Sequence, residues 1–68
     1  MNKANKKLHE VLEMKLGELK PKEREIMKLL YGLGGGYSYS HEKVATLLDL
    51  GVDQVKAIEA GCLKNLRL

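Results

Sequence analysis

The sequence predicts an all-α domain of four short helices, the last two forming a helix-turn-helix. Three observations predict it. The aromatics are three tyrosines with no Trp or Phe, so the core must come from Leu, Ile, Val, Met and Ala, a palette that suits helices over sheets. Apolar residues recur at three- and four-residue intervals through most of the chain. The glycines and the single proline fall mainly between those stripes, as punctuation.

The elements follow in order. Leu8, Val11, Leu12, Leu16 and Leu19 form the apolar side of a first helix within residues 1–20, with Lys6, Lys7, Glu10, Glu13 and Lys15 largely opposite. Pro21 stops it and opens the next, because proline fixes φ and needs no N–H partner in a first turn. Glu23 and Glu25 then meet the positive end of that second helix. Ile26, Leu29, Leu30 and Leu33 continue it at i, i+3, i+4 and i+7, over residues 21–33. Gly32, Gly34, Gly35 and Gly36 end it and lead into a glycine-rich loop, residues 34–40, that closes on Ser40, a candidate N-cap. Val44, Ala45, Leu47 and Leu48 give a short third helix its apolar face. Asp49-Leu50-Gly51 interrupts it, and Val52, Val55, Ile58, Cys62, Leu63 and Leu66 form the stripe of a fourth.

The last two helices, residues 41–66, are separated by about three residues, the spacing of a helix-turn-helix. Ala45 is small where the helices approach. Asp49 occupies the turn position that favours positive φ, which Asp visits more readily than most residues. Leu50, Val55 and Ile58 supply the wedge between them. A plain helical hairpin has similar spacing.

Size and composition exclude several classes. At 68 residues the chain buries only ~60% of its unfolded surface, too little for a deep enzyme cleft beside a core. No apolar run approaches the ~20 residues that span a bilayer. The lone Cys62 excludes an internal disulfide and fits a reducing, cytoplasmic setting. A net charge of +3 permits nucleic acid as a partner without requiring it. His9 and His41 have no ligand spacing around them, so no metal is expected. The dispersed glutamates do not form an acid–base pair, and the glycine-rich run lacks the Lys-Ser/Thr and preceding strand of a phosphate loop. Neither enzyme, cofactor nor small-molecule substrate is expected. Lys3, Lys6 and Lys7 form a basic end, ordinarily solvated, that would add only modest nucleic-acid affinity.

Four blocks carry a resemblance to a known family. They are Leu19-Lys20-Pro21-Lys22-Glu23-Arg24-Glu25-Ile26, Leu29-Leu30-Tyr31-Gly32-Leu33, Tyr39-Ser40-His41-Glu42-Lys43-Val44-Ala45 and Val55-Lys56-Ala57-Ile58-Glu59-Ala60. From Leu16 to Leu68 the chain resembles region four of the sigma-seventy class of bacterial sigma factors. That family reads Leu-x-x-Arg-Glu-Arg-x-Val, Leu-Arg-Tyr-Gly-Leu, Tyr-Thr-Leu-Glu-Glu-Ile-Gly and Arg-Glu-Arg-Ile-Arg-Gln-Ile-Glu-Ala in the matching places. The resemblance implies two contact surfaces, one reading promoter DNA and one gripping the flap tip of the RNA polymerase β subunit.

On the DNA side it points to Lys22, His41, Val52, Asp53, Lys56 and Ala57. Where the family has Arg, Glu, Arg and Gln, this chain has Val52, Asp53, Lys56 and Ala57. A bidentate arginine–guanine contact is worth ~1–3 kcal/mol of discrimination, and valine cannot form it. Lys56 keeps a charge for phosphate but loses the planar fork. Ala57 can touch a thymine methyl and no base edge. Three to five phosphate contacts would give a salt slope of roughly −3 to −4 and weak binding at physiological salt. On the polymerase side the resemblance points to Tyr31, Leu33, Leu63 and Leu66, positions that ordinary core packing would equally explain. The expectation is a small stand-alone protein of cytoplasmic transcription, docking on the flap, on promoter DNA or on both, with DNA reading weakened. A protein-interaction module that mimics or antagonises sigma without DNA, and an independent DNA-binding repressor, are the alternatives.

Overall fold

The structure, a computed structural model, describes residues 3–66 and the side chains of residues 7–66. The basic end formed with Lys3 and Lys6 therefore lies outside the described side chains. In order come α1 (Lys3–Lys15), a 3-10 turn at Leu16–Glu18, α2 (Pro21–Tyr31), a second 3-10 turn at Leu33–Gly35, α3 (His41–Leu48) and α4 (Val52–Asn65). The four expected helices are present, but two end early.

The first stops at Lys15 rather than running to residue 20. Leu19 and Lys20 are extended, with ψ of 152° and 155°, as the restriction on a residue preceding proline requires of Lys20. Glu23 Oε1 accepts the Lys20 N–H at 3.2 Å, closing the half of a capping box that a lysine N-cap allows. The second helix stops at Tyr31, not Leu33. Gly32 takes a left-handed conformation (φ 65°, ψ 35°) and its N–H returns to the Lys28 carbonyl, so the chain turns there. Beyond it the Ser38 hydroxyl donates to the Leu30 carbonyl at 2.7 Å and the Tyr39 N–H to the Leu29 carbonyl at 2.9 Å. These bonds fold the glycine-rich segment back onto α2. Ser40 caps α3, accepting the Lys43 N–H at 3.1 Å.

Two apolar clusters form the core. One joins Leu12, Leu19, Met27, Leu33, Cys62 and Leu66; the other joins Ile26, Leu30, Val44, Ala45 and Val55. Tyr31 and Ile58 pack against both, which makes the two clusters one core. The second cluster sits under the turn between α3 and α4, where Ala45 is 4% exposed and lets the helices close. No buried side-chain polar atom among the described residues lacks a hydrogen bond.

α1 holds the ends of two other helices. His9 Nε2 donates to the carbonyl of Tyr31, the last residue of α2. Lys15 Nζ donates to the Leu66 carbonyl at the end of α4, at 3.1 Å. Both side chains meet the negative, carbonyl-rich end of a helix, where cationic or N–H donors stabilise.

Gly61 is exposed on α4 with nothing within 4 Å of a Cβ built there. Glycine in a helix interior costs roughly 0.5–1 kcal/mol relative to alanine. Gly61→Ala should therefore raise stability by about that amount, read as a thermal midpoint several degrees higher by circular dichroism.

Candidate nucleic-acid and protein interface

The turn between α3 and α4 aims the fourth helix outward. Asp49 is the only non-glycine residue at positive φ among the described residues (φ 57°, ψ 49°). The Leu50 N–H closes on the Ala45 carbonyl at 2.8 Å, so the last turn of α3 ends in a left-handed cap. Gly51 then opens α4, and Gln54 Oε1 accepts its N–H at 3.1 Å. A glutamine three residues past an N-cap, as Gln54 is here, is the sequence signal that marks this helix start.

α4 faces two ways. Val55 and Cys62 are buried and Ile58 is partly buried, while Asp53, Gln54, Lys56, Ala57, Ala60 and Gly61 are exposed and Val52 is half-buried. Four of the six expected DNA residues thus share one helix. Lys22 is exposed on α2, in its first turn. The first four residues of α4 carry one charge, the carboxylate of Asp53, and the cation of Lys56 follows in the next turn. That acid at the positive end of the helix is stabilising, and it repels phosphate.

His41 is engaged within the fold. Its Nε2 lies 2.7 Å from Glu59 Oε1, and the Tyr31 hydroxyl donates to Glu59 Oε2 at 2.5 Å. Burial, then the hydrogen bond and charge of Glu59, push the Tyr31 phenol well above its ordinary pKa. The carboxylate between Tyr31 and His41 was not foreseen, because it joins residues 28 and 18 positions apart.

The four residues expected to grip a polymerase partner do meet in one place. Leu33 and Leu66 belong to the first core cluster, and Tyr31 and Leu63 pack against it. They are not equally available. Leu33 and Leu66 are each 3% exposed, sharing their cluster with Leu8, Leu12 and Leu16 from α1 and the turn that follows it. Only Tyr31 and Leu63 of the four reach solvent, at the edge of the cluster. Burial, the ordinary fate of a helical apolar stripe, is the reason.

Cys62 is 1% exposed, and burial, followed by the negative charges of Glu23 and Glu59, pushes its thiol pKa up. That is the opposite of what a thiolate nucleophile needs. Among the described residues no group of three His, Cys, Asp or Glu side chains can hold a metal. No helix among them is long and apolar enough to cross a membrane.

Comparison with known proteins converges on one family. The pattern described as Sigma-70, region 4 matches residues 16–68. RNA polymerase sigma factor SigA1 of Synechococcus elongatus is 36% identical over 64 residues, covering 94% of this chain and 16% of that protein. SigA of a Nostoc species is 35% identical over 60 residues, covering 88% of this chain and 15% of its own length, and the sigma-C factor of the same Nostoc is 34% identical over 56 residues, covering 82% and 14%. The chain thus spans about one-sixth of the curated relatives it matches. No solved structure matches it significantly. With α2, α3 and the outward-facing α4 all inside the matched residues 16–68, the chain belongs to the sigma-70 region 4 family.

Proposed function

We propose that this domain acts in bacterial-type transcription by docking on the RNA polymerase β flap, with promoter DNA as a weak second partner of its helix-turn-helix. The observation that carries the reading is the apolar edge where Tyr31 and Leu63 reach solvent over buried Leu33 and Leu66, on a chain that matches a domain of RNA polymerase sigma factors.

The chemistry of the outer face of α4, exposed at Asp53, Lys56 and Ala57, favours weak DNA reading. Val52 and Ala57 offer methyl groups and no hydrogen bonds, Asp53 accepts from a cytosine amino group, and Lys56 supplies one phosphate contact. Lys22 adds a second cation from α2. Docking on the flap would use Tyr31 and Leu63, with buried Leu33 and Leu66 as the floor beneath them. An amphipathic helix laid on such an apolar edge is a familiar recognition mode.

Two titrations test this. A labelled β flap-tip peptide should bind the intact protein in the micromolar range, and Lys56→Ala should leave that affinity unchanged. With Lys22 and Lys56 on phosphate, promoter DNA should bind with a salt slope of roughly −2, falling in magnitude by about 1 in Lys56→Ala. No peptide binding at high micromolar concentration would defeat the docking reading. Tight, sequence-selective DNA binding above physiological salt would favour an independent DNA-binding regulator.

A further inference from the structure

Glu59 lies in the middle of α4, half-buried between the buried Val55 and Cys62 and the exposed Lys56 one turn before it. Its two carboxylate oxygens have different partners: Oε2 accepts the Tyr31 hydroxyl at 2.5 Å and Oε1 meets His41 Nε2 at 2.7 Å. Tyr31 is the last residue of α2 and His41 the first of α3. One carboxylate therefore holds both ends of the glycine-rich segment 32–40 against the fourth helix. Hydrogen bonds to an ionised acceptor are roughly twice as strong as neutral ones. The His41 and Glu59 side chains are 36% and 19% exposed, so salt screens them less than a surface pair. The carboxylate also stands beside the first residue of α3, the positive end of that helix.

The apolar contacts of α4 do not fix its pose in this way. Val55, Ile58 and Cys62 set how deep the helix lies, but contacts between alkyl groups carry little directional preference. Two directional bonds from one side chain to two other helices restrict rotation about the α4 axis and sliding along it. We propose that Glu59 is the positioning residue of the outward helix, setting the angle at which Val52, Asp53, Lys56 and Ala57 are presented. Its functional meaning rests on α4 being the helix that meets DNA or polymerase, as proposed above; the positioning itself is a property of the free domain.

The test measures pose directly. In weakly aligned, isotope-labelled protein, the backbone N–H residual dipolar couplings of all four helices should fit one alignment tensor. Glu59→Leu removes both acceptor oxygens and with them both bonds. Its α4 couplings should leave the common fit while those of α1 and α2 stay in it, and the Tyr31 phenol should titrate at lower pH than in the parent. Tyr31→Phe and His41→Leu each remove one donor, and each should displace α4 by less than Glu59→Leu does. If α4 keeps the common tensor in all three variants, or if all four helices lose it together, the positioning role is overturned. A wild-type protein that binds neither promoter DNA nor flap peptide would defeat the functional reading and leave the couplings to decide on Glu59.

Discussion

Ile26→Ala should lower the unfolding free energy by about 2–5 kcal/mol, the range for truncating a fully buried isoleucine. Ile26 is 0% exposed and shares its cluster with Leu30, Val44, Ala45 and Val55. It thus comes from α2 and meets both helices of the helix-turn-helix. The lost methylene contacts and the cavity left behind both contribute, and three helices converging on the site limit how far it can collapse. A domain of 68 residues holds only about 3–10 kcal/mol in total. The substitution therefore removes a large fraction of stability. Urea unfolding followed by circular dichroism should show a midpoint displaced far to lower concentration at an unchanged slope. An unmoved midpoint would mean that Ile26 is not the link between α2 and the last two helices.

The second large effect is expected at Gly32. Its φ of 65° lies in the left-handed region, and a Cβ built there falls 2.9 Å from the Gly36 carbonyl oxygen and 3.2 Å from the Ser38 nitrogen and the Tyr37 carbonyl carbon. All three are backbone atoms, so no rotamer change relieves the contact. The left-handed conformation alone costs an L-residue roughly 1–2 kcal/mol, and the contact adds to it, so Gly32→Ala should destabilise by about 2–3 kcal/mol. The damage should be local as well as global. Tyr31 immediately precedes this turn and the segment beyond it leads to His41, so shifting the loop also disturbs both partners of Glu59. Gly61→Ala, where the Cβ meets open space, is the internal control with the opposite sign. Equal effects at the two glycines would contradict the conformation assigned to Gly32.

Burial also changes how docking can be tested. Leu66 stands at an apolar position of the expected polymerase grip, yet it is 3% exposed and packed with Leu12, Met27 and Cys62. A charge placed there would unfold the domain before it reported on any partner. Tyr31 and Leu63, half-buried at the rim of the same cluster, are the positions where lost contact and lost fold can be separated.

Helix number and type were legible in the residues because they depend on neighbours three and four positions away. The stripe Ile26, Leu29, Leu30 and Leu33 identified α2, Pro21 its start, and Asp49 the left-handed corner before α4. Helix ends were less legible. Leu33 continues the spacing of α2, but Gly32 had already ended the helix by turning left-handed, and Leu33 enters the core from a 3-10 turn. Periodicity sees side chains, whereas termination depends on backbone hydrogen bonds.

Residue pattern alone specifies an all-helical chain whose last two helices meet at a three-residue corner, and the family likeness is readable there in successive blocks. Packing in three dimensions selects which apolar residues are spent on the core, as Leu33 and Leu66 are, and which remain at the surface. It alone brought Glu59 to Tyr31 and His41, and His9 and Lys15 to the ends of α2 and α4. The physical reason is range. Periodic and capping signals act within a turn or two of helix, whereas these pairings join residues 18 to 51 positions apart and exist only once the helices have packed.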